Sequence, residues 1–293
     1  MSDPYTSIDI GQWVRDAAGA TRRQREITRI ILHAIAATPS LREVLYLKGG
    51  VFMGLVYDSV RLSADIDFSV ADTIEPDKSA GNILRKALDP ALLRAASECG
   101  HPQTVLRVQS VKGMPGNRFP DAISAALRIK IGYADRGSRQ HEQLLEGMAS
   151  SIVAMDVSFN ETIEEIQILQ ISDESTLLAY SLIDMIAEKY RALLQQPSRD
   201  RYREQDVYDL DILIRDPDLD DRALGKVLKM LVIKCKSRDI DSRPDSMDDP
   251  DIRRRAHADW NTIELETGDL PDFDGCFERI RMFYRKLPWF IEE

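Results

Sequence analysis

Three short segments carry side chains that together could handle phosphates and a divalent cation: Lys48-Gly49-Gly50, Arg61-Leu62-Ser63 and Asp65-Ile66-Asp67-Phe68. Residues 65–70 alternate polar and apolar types, which predicts a half-buried strand. Residues two apart in a strand point to one side, so Asp65 and Asp67 present their carboxylates together. Two such charges are unfavourable without a cation. Magnesium fits the pair, because it takes hard oxygen ligands and usually keeps water and substrate phosphates in its shell. On a rigid strand it would bridge triphosphate oxygens. Gly49 and Gly50, lacking Cβ atoms, let backbone N–H groups approach a phosphate, and a helix starting after them would add partial positive charge. Lys48 beside them and Ser63 before the aspartates could also contact phosphate oxygens. D-x-D and G-G are common singly, and the bland alternative is a strand end with solvated aspartates. The ordered combination is far more specific.

The elements that must position these residues follow from periodicity. Residues 21–37 carry Ile27, Ile30, Ile31, Ala34 and Ile35 at helical spacing, with Thr21 as a candidate N-cap. A strand over 44–48 ends in the glycine turn, and 51–57 follows as a short helix. Residues 77–99 read as a helix with Ile83, Leu84, Leu88, Leu92 and Leu93 on its apolar side. Further strands are expected at 104–111, 123–133 and 151–159, with another apolar run at 163–171. Helices then dominate, at 175–195, about 204–214, 222–236 and 275–286, while 237–250 reads as an exposed loop. The fold class is therefore α+β: a mixed-sheet domain with flanking helices over 1–172, then a helical domain over 173–293.

Four further residues stand out against their elements. In 151–159, Val153, Met155, Val157 and Phe159 share one face, and Ala154, Asp156 and Ser158 the other. Asp156 could be a third metal ligand, a general base, or a plain solvent-facing aspartate. Lys189 falls in the middle of a stripe of Leu178, Leu182, Met185, Ile186 and Leu193. A lysine there is costly to bury unless it meets an anion such as a triphosphate; otherwise it snorkels along the stripe's edge. Asp206 and Asp209 share a helical face with Leu210 and Leu213, whereas Asp211 points away. Lys189 is a plausible partner for them, as are the arginines upstream, and Asp206 could equally be a helix-start acid facing the macrodipole.

The segments LKGG and RLSADIDF resemble the opening motif of DNA-polymerase-β-type nucleotidyltransferases, in particular the AbiEii/MenT group of toxins. IDMIAEKYRALL is similar to that group's A-E-K-x-x-A-L helix, whose lysine contacts nucleotide phosphates. Residues 199–210 resemble its R-x-x-x-R-D-x-Y-D-L segment: Arg201 matches the first arginine, while Gln205 stands where the second is expected. The resemblance spans about residues 41–214 and implies a polymerase-β-like fold whose active site the helical domain completes. It implies Asp65, Asp67, Lys189 and Asp206 as catalytic residues. It gives Lys48, Gly49, Gly50, Ser63, Lys189, Arg201 and Asp209 to the nucleotide, and Asp65, Asp67 and Asp156 to the metal. The implied cofactor is Mg2+, with Mn2+ as a substitute, and the substrate an NTP. The implied reaction moves NMP to an RNA acceptor, the tRNA 3′ end, and so blocks translation; a cognate antitoxin would be a partner. A protein or small-molecule acceptor, or a catalytically dead module that binds nucleotide or antitoxin, are the alternatives.

Composition limits the partners. Of 293 residues, 49 are acidic and 39 basic, for a net charge of -10, so nucleic acid is not drawn by the mean field. RNA would need a local patch, for which Arg22, Arg23 and Arg25, residues 199–203, and Arg253, Arg254 and Arg255 are candidates. Three scattered cysteines argue for a reduced compartment and against a disulfide framework or zinc site. No run approaches the roughly 20 apolar residues of a membrane span, and the start lacks a signal-peptide pattern. A cytoplasmic protein without a membrane partner is expected.

Overall fold

The computed structural model describes residues 5–70, 74–172, 175–216 and 219–289. Among these are the strands β1 (Tyr5–Ser7), β2 (Leu45–Lys48), β3 (Ile66–Val70), β4 (Thr104–Met114), β5 (Ala126–Asp135), β6 (Ile152–Ser158), β7 (Ile166–Ser172) and β8 (Ser175–Tyr180). Helices α1 (Ile10–Arg15), α2 (Gly19–Ala36), α3 (Pro39–Arg42), α4 (Gly49–Val56), α5 (Ala80–Glu98) and α6 (Arg139–Leu145) accompany them. The later helices are α7 (Leu182–Leu194), α8 (Gln196–Arg199), α9 (Glu204–Leu213), α10 (Asp221–Lys236), α11 (Pro250–Ala258) and α12 (Phe273–Lys286). The chain divides into two compact units. One comprises Met1–Val56, Ser63–Glu161 and Ile166–Ala179; the other comprises Tyr57–Leu62, Thr162–Glu165 and Tyr180–Glu293.

The first unit is built on a mixed eight-stranded sheet in the order β1-β7-β8-β2-β3-β6-β5-β4. β2 runs antiparallel to β3, β3 parallel to β6, and β6 antiparallel to β5. Strand alternation gives this sheet two unlike faces. Leu47, Phe68, Val157 and Leu127 are matched across β2, β3, β6 and β5, and all are buried. Ile66, Met155 and Ile129 form the next buried row on that face. Helices α2 and α5 pack together, with α2 reaching β6 and α5 reaching β4. Ile27, Ile30, Ile31 and Ile35 of α2 are 0% exposed, each stabilising by about 1.5–3 kcal/mol. Gly81 lets α5 settle on this apolar face: a Cβ there would lie 2.9 Å from Val111 and 3.8 Å from Leu127. The opposite face carries the polar row described below.

Two expectations are corrected. Residues 175–195 are not one helix: Ser175–Tyr180 is β8, parallel to β2 with Tyr46 opposite Leu178 and Leu47 opposite Ala179. Leu178 lies four residues before Leu182, so it fitted a helical count, yet the burial of β8 alternates as a strand requires. The helix starts only after Ser181, whose hydroxyl accepts from the Asp184 N–H. In α5, Ile83 and Leu93 point outward, at 62% and 53% exposure, while Leu84, Leu88 and Leu92 face the core.

The second unit is helical. Helix α7 packs against α9 and α10, and α9 against α11 and α12. Tyr190 of α7 is fully buried, donates to the Ile280 carbonyl at 2.7 Å and stacks on Phe283. Helix α11, which carries Arg253, Arg254 and Arg255, was not expected from periodicity; it starts on a Pro250 N-terminus capped by Asp249.

Candidate active site

Strand register assembles the polar face of the first unit. Lys48 on β2 lies opposite Asp67 on β3, Asp67 opposite Asp156 on β6, Asp156 opposite Arg128 on β5, and Arg128 opposite Lys112 on β4. Registered residues project to one side of a sheet, so two adjacent carboxylates are flanked by cations on both sides. Asp65 joins the same side: its Oδ2 accepts from Arg128 Nη2 at 2.7 Å, and Arg128 Nε lies 3.5 Å from Asp156 Oδ1. Asp156 Oδ1 is buried and has no hydrogen-bond partner. Burial pushes the Asp156 carboxyl above its ordinary range; Arg128 opposes the shift, Asp65 adds to it, and Lys48 opposes it.

The glycine turn is fitted to the same centre. Gly49 has a left-handed φ of +73°, and a Cβ built there would fall 2.1 Å from Asp67 Oδ2. The Asp67 carboxylate therefore rests on the bare Cα of Gly49, a place no other residue leaves open. Gly50 is buried in the first turn of α4. Ser63 donates to the Asp65 carbonyl at 3.4 Å, and its own carbonyl accepts from Gln24 at 3.0 Å. Gly49→Ala is expected to displace Asp67 and cost about 1–3 kcal/mol through backbone strain alone. Thermal melts beside a transfer assay check this: activity should vanish while the fold survives.

The donor set suits a hard divalent cation. Among the described residues no three His, Cys, Asp or Glu side chains are gathered as a complete metal cage. Asp67 on β3, Asp65 just before it on the Arg128 side, and the orphan oxygen of Asp156 instead match an ion that draws its remaining ligands from water and phosphates.

The second unit holds a buried ion network. Lys189 Nζ donates to Asp209 Oδ2 at 2.7 Å and to Asp206 Oδ1 at 3.0 Å, and Lys189 is 5% exposed. It is buried and paired rather than snorkelling. Arg61 grips Asp209 with two bonds, Nε to Oδ1 at 3.1 Å and Nη2 to Oδ2 at 2.9 Å. Burial alone would raise the Asp209 pKa; Lys189 and Arg61 outweigh it and hold the carboxyl below its ordinary range. Burial likewise opposes charge on Lys189, and Asp209 and Asp206 overcome it, so the ammonium is held above its ordinary range.

A family model described as "Nucleotidyl transferase AbiEii toxin, Type IV TA system" matches residues 30–279. The chain belongs to the AbiEii nucleotidyl transferase toxin family. The AbiEii match covers both units, so the enzyme is a nucleotidyltransferase of a toxin–antitoxin type, acting on a nucleotide substrate and implying a cognate antitoxin. A solved structure of a "putative nucleotidyltransferase from H. pylori" is similar in fold, with a TM-score of 0.51 at 15% identity, covering 92% of this chain and 96% of that one. No curated protein matches. Among the described residues, no helix is long and apolar enough to cross a membrane.

Of the AbiEii-type positions expected from sequence, the first unit brings together Lys48, Gly49, Asp65, Asp67 and Asp156, and the second brings together Lys189, Asp206 and Asp209. Arg201 lies exposed outside the second cluster. The arginine on Asp209 is Arg61, which also donates to Gln205 at 2.9 Å. An arginine at 205, as the AbiEii pattern has, would face Arg61 with like charge; Gln205 accepts from it instead. From sequence Arg61 figured only as part of the phosphate- and cation-handling segments, with no partner assigned, and Arg128 received no role. Arg128 sits on the apolar-polar alternation of β5 opposite Asp156, a signal that needs the register to be read. Asp211 does point away from Asp209, yet it is buried, on Arg279 at 2.6 Å.

The expected basic patches are largely spent inside the chain. Arg23 pairs with Asp135 at 2.7 Å, and Arg255 with Asp200 at 2.7 Å and Asp251 at 2.8 Å; Arg253 meets Asp274, and Arg254 meets Asp251. Trp260 is buried against Phe273 and donates to the Pro271 carbonyl, so it is a core residue.

Proposed function

We propose that this AbiEii-family enzyme transfers NMP from an NTP to an RNA acceptor, the tRNA 3′ end, with a magnesium ion held by Asp65 and Asp67, and so blocks translation. The observation that carries the reading is the registered row Lys48–Asp67–Asp156 with Asp67 seated on Gly49. An oxygen of the acceptor hydroxyl forms a bond to the α-phosphorus, the bond from that phosphorus to the β-phosphate oxygen breaks, and pyrophosphate leaves. When bound, the ion supplies charge neutralisation on the triphosphate and acidifies the attacking hydroxyl. Asp65 and Asp67 hold it; Mn2+ is expected to substitute. Asp156, whose carboxyl is pushed up by burial, serves as a further ligand or takes the hydroxyl proton. Lys48, Ser63 and the Gly49 and Gly50 N–H groups are proposed to contact phosphate oxygens.

For the second unit, Lys189 is proposed as a catalytic and nucleotide-binding residue, as the resemblance implies. Asp206 and Asp209 keep it protonated, and Asp209, with both oxygens engaged, acts through Lys189. Arg201, being exposed, is available to substrate. The acceptor rests on the resemblance to tRNA-modifying toxins. A second reading, a protein or small-molecule acceptor, is favoured by the intramolecular pairing of Arg23 and Arg255 and by the net charge of -10. Incubating the protein with each common NTP, labelled at the α-phosphate, with magnesium and total tRNA decides between them. Label on tRNA with one preferred NTP is expected; label on protein or none on tRNA supports the second reading.

A further inference from the structure

The acids Asp65, Asp67 and Asp156 repel one another, and Lys48 opposite Asp67 answers only part of that repulsion. Asp65 lies one residue before β3 and reaches Arg128, which also lies beside Asp156, and Asp156 is the cross-strand neighbour of Asp67. Like charges directly opposite on adjacent strands are destabilising. Arg128 answers that repulsion by contacting both Asp65, at 2.7 Å, and Asp156, at 3.5 Å. It does so incompletely, for Asp156 Oδ1 still lacks a hydrogen bond. The contacts are also weak by position: the side chains of Arg128, Asp65 and Asp156 are 43%, 43% and 34% exposed, and half-exposed ion pairs are screened and easily parted. A guanidinium lying between metal-type carboxylates, bound well enough to order them but loosely enough to be released, is a stand-in for the cation itself.

The geometry points to Arg128 as the resident counter-ion of Asp65 and Asp156: it holds them before a divalent cation binds, and it must give them up when one does. The inference rests on the reading of Asp65 and Asp67 as metal ligands. Arg128 is thus a positioning residue that sets the metal affinity of the free enzyme. Two consequences follow. Metal uptake carries the cost of parting Arg128 from the acids, so the nucleotide-free enzyme binds a divalent cation weakly. The acids also stay ordered when no cation is present.

Binding of Mn2+, followed by loss of its free-ion electron paramagnetic resonance signal without nucleotide, tests this in the full chain. Arg128→Gln removes the competing cation and is expected to tighten Mn2+ binding roughly three- to tenfold, the range that one or two exposed ion pairs can supply. Arg128→Lys, which keeps a charge, should stay near wild type. Lys130→Gln serves as the control: it lies two residues along β5 on the same face, opposite Ala154 rather than an acid, and should change affinity less than twofold. Unchanged or weaker binding in Arg128→Gln overturns the inference, as does equal tightening in Lys130→Gln. Asp65→Asn separates this from the underlying reading. If Asp65→Asn abolishes Mn2+ binding while Arg128→Gln has no effect, only the role of Arg128 fails. If Asp65→Asn binds Mn2+ like wild type, the metal centre itself is misplaced and the inference falls with it.

Discussion

Asp67→Asn should lower nucleotide transfer by about a thousandfold or more, with little change in stability. The rate effect follows from charge: a metal that neutralises a triphosphate supplies several kcal/mol of transition-state stabilisation, and each ~1.4 kcal/mol is a factor of ten. An amide keeps the shape of Asp67, including its seat on Gly49, while removing half of the carboxylate pair. The small stability effect follows from the surroundings. Asp67 is half-buried and faces both Lys48 and Asp156, so the attraction lost to one offsets the repulsion lost to the other. Steady-state rates beside thermal melts check both parts. A rate within tenfold of wild type would remove Asp67 from the metal shell, and a collapse of the fold would make its role structural.

The second large effect concerns the helical unit. Asp209→Asn is expected to destabilise it by about 3–5 kcal/mol, because breaking one partner of a buried ion pair leaves uncompensated charge. Asp209 is 0% exposed and serves both Arg61 and Lys189, whose side chains are each 6% exposed. The contrast is Arg203, 3.7 Å from Asp206 with a side chain 44% exposed, where removal should cost ~0–1 kcal/mol. The pH dependence has a definite sign. Asp209 is held below its ordinary range, so its contribution is present above the unfolded carboxylate value of about 3.9 and is lost as pH falls through the lower folded value. Lys189 is held above its ordinary range, so its contribution is present below about pH 10.4 and lost as pH rises through the higher folded value. The deficit of Asp209→Asn should therefore be constant from about pH 5 to 9 and shrink in strong acid. Calorimetric melts at neutral and acid pH measure it; a deficit below about 1 kcal/mol at neutral pH would mean the network is screened by solvent.

Local signals carried much of this arrangement in the sequence. The Asp67 side needs only the strand repeat, the Asp156 face only its own alternation, and Lys189 among Met185, Ile186 and Leu193 only the helical period, whereas Asp65 lies just before β3 and Leu178 belongs to β8. The mixed sheet followed by helices was legible for the same reason, and the family match and the similar solved fold agree with it. Pairings between distant segments were not legible. Asp67 lies beside Asp156 through the parallel β3–β6 register, and Arg61 meets Asp209 across 148 positions. No local period encodes either. The boundary at Ser181 was hidden because a spacing of four residues, Leu178 to Leu182, satisfies a helix while a strand and a capped helix share it. Ile83 and Leu93 misled for a simpler reason: apolar residues are also common on surfaces.

The most direct test of the central claim follows two labels in one reaction. The wild type and Asp67→Asn are each given an NTP labelled at the α-phosphate or at the γ-phosphate, with magnesium and the acceptor. α-Label is expected on the acceptor and γ-label in released pyrophosphate, both lost in Asp67→Asn. Label from the γ-phosphate on the acceptor, or α-label transferred at the wild-type rate by Asp67→Asn, would contradict that claim.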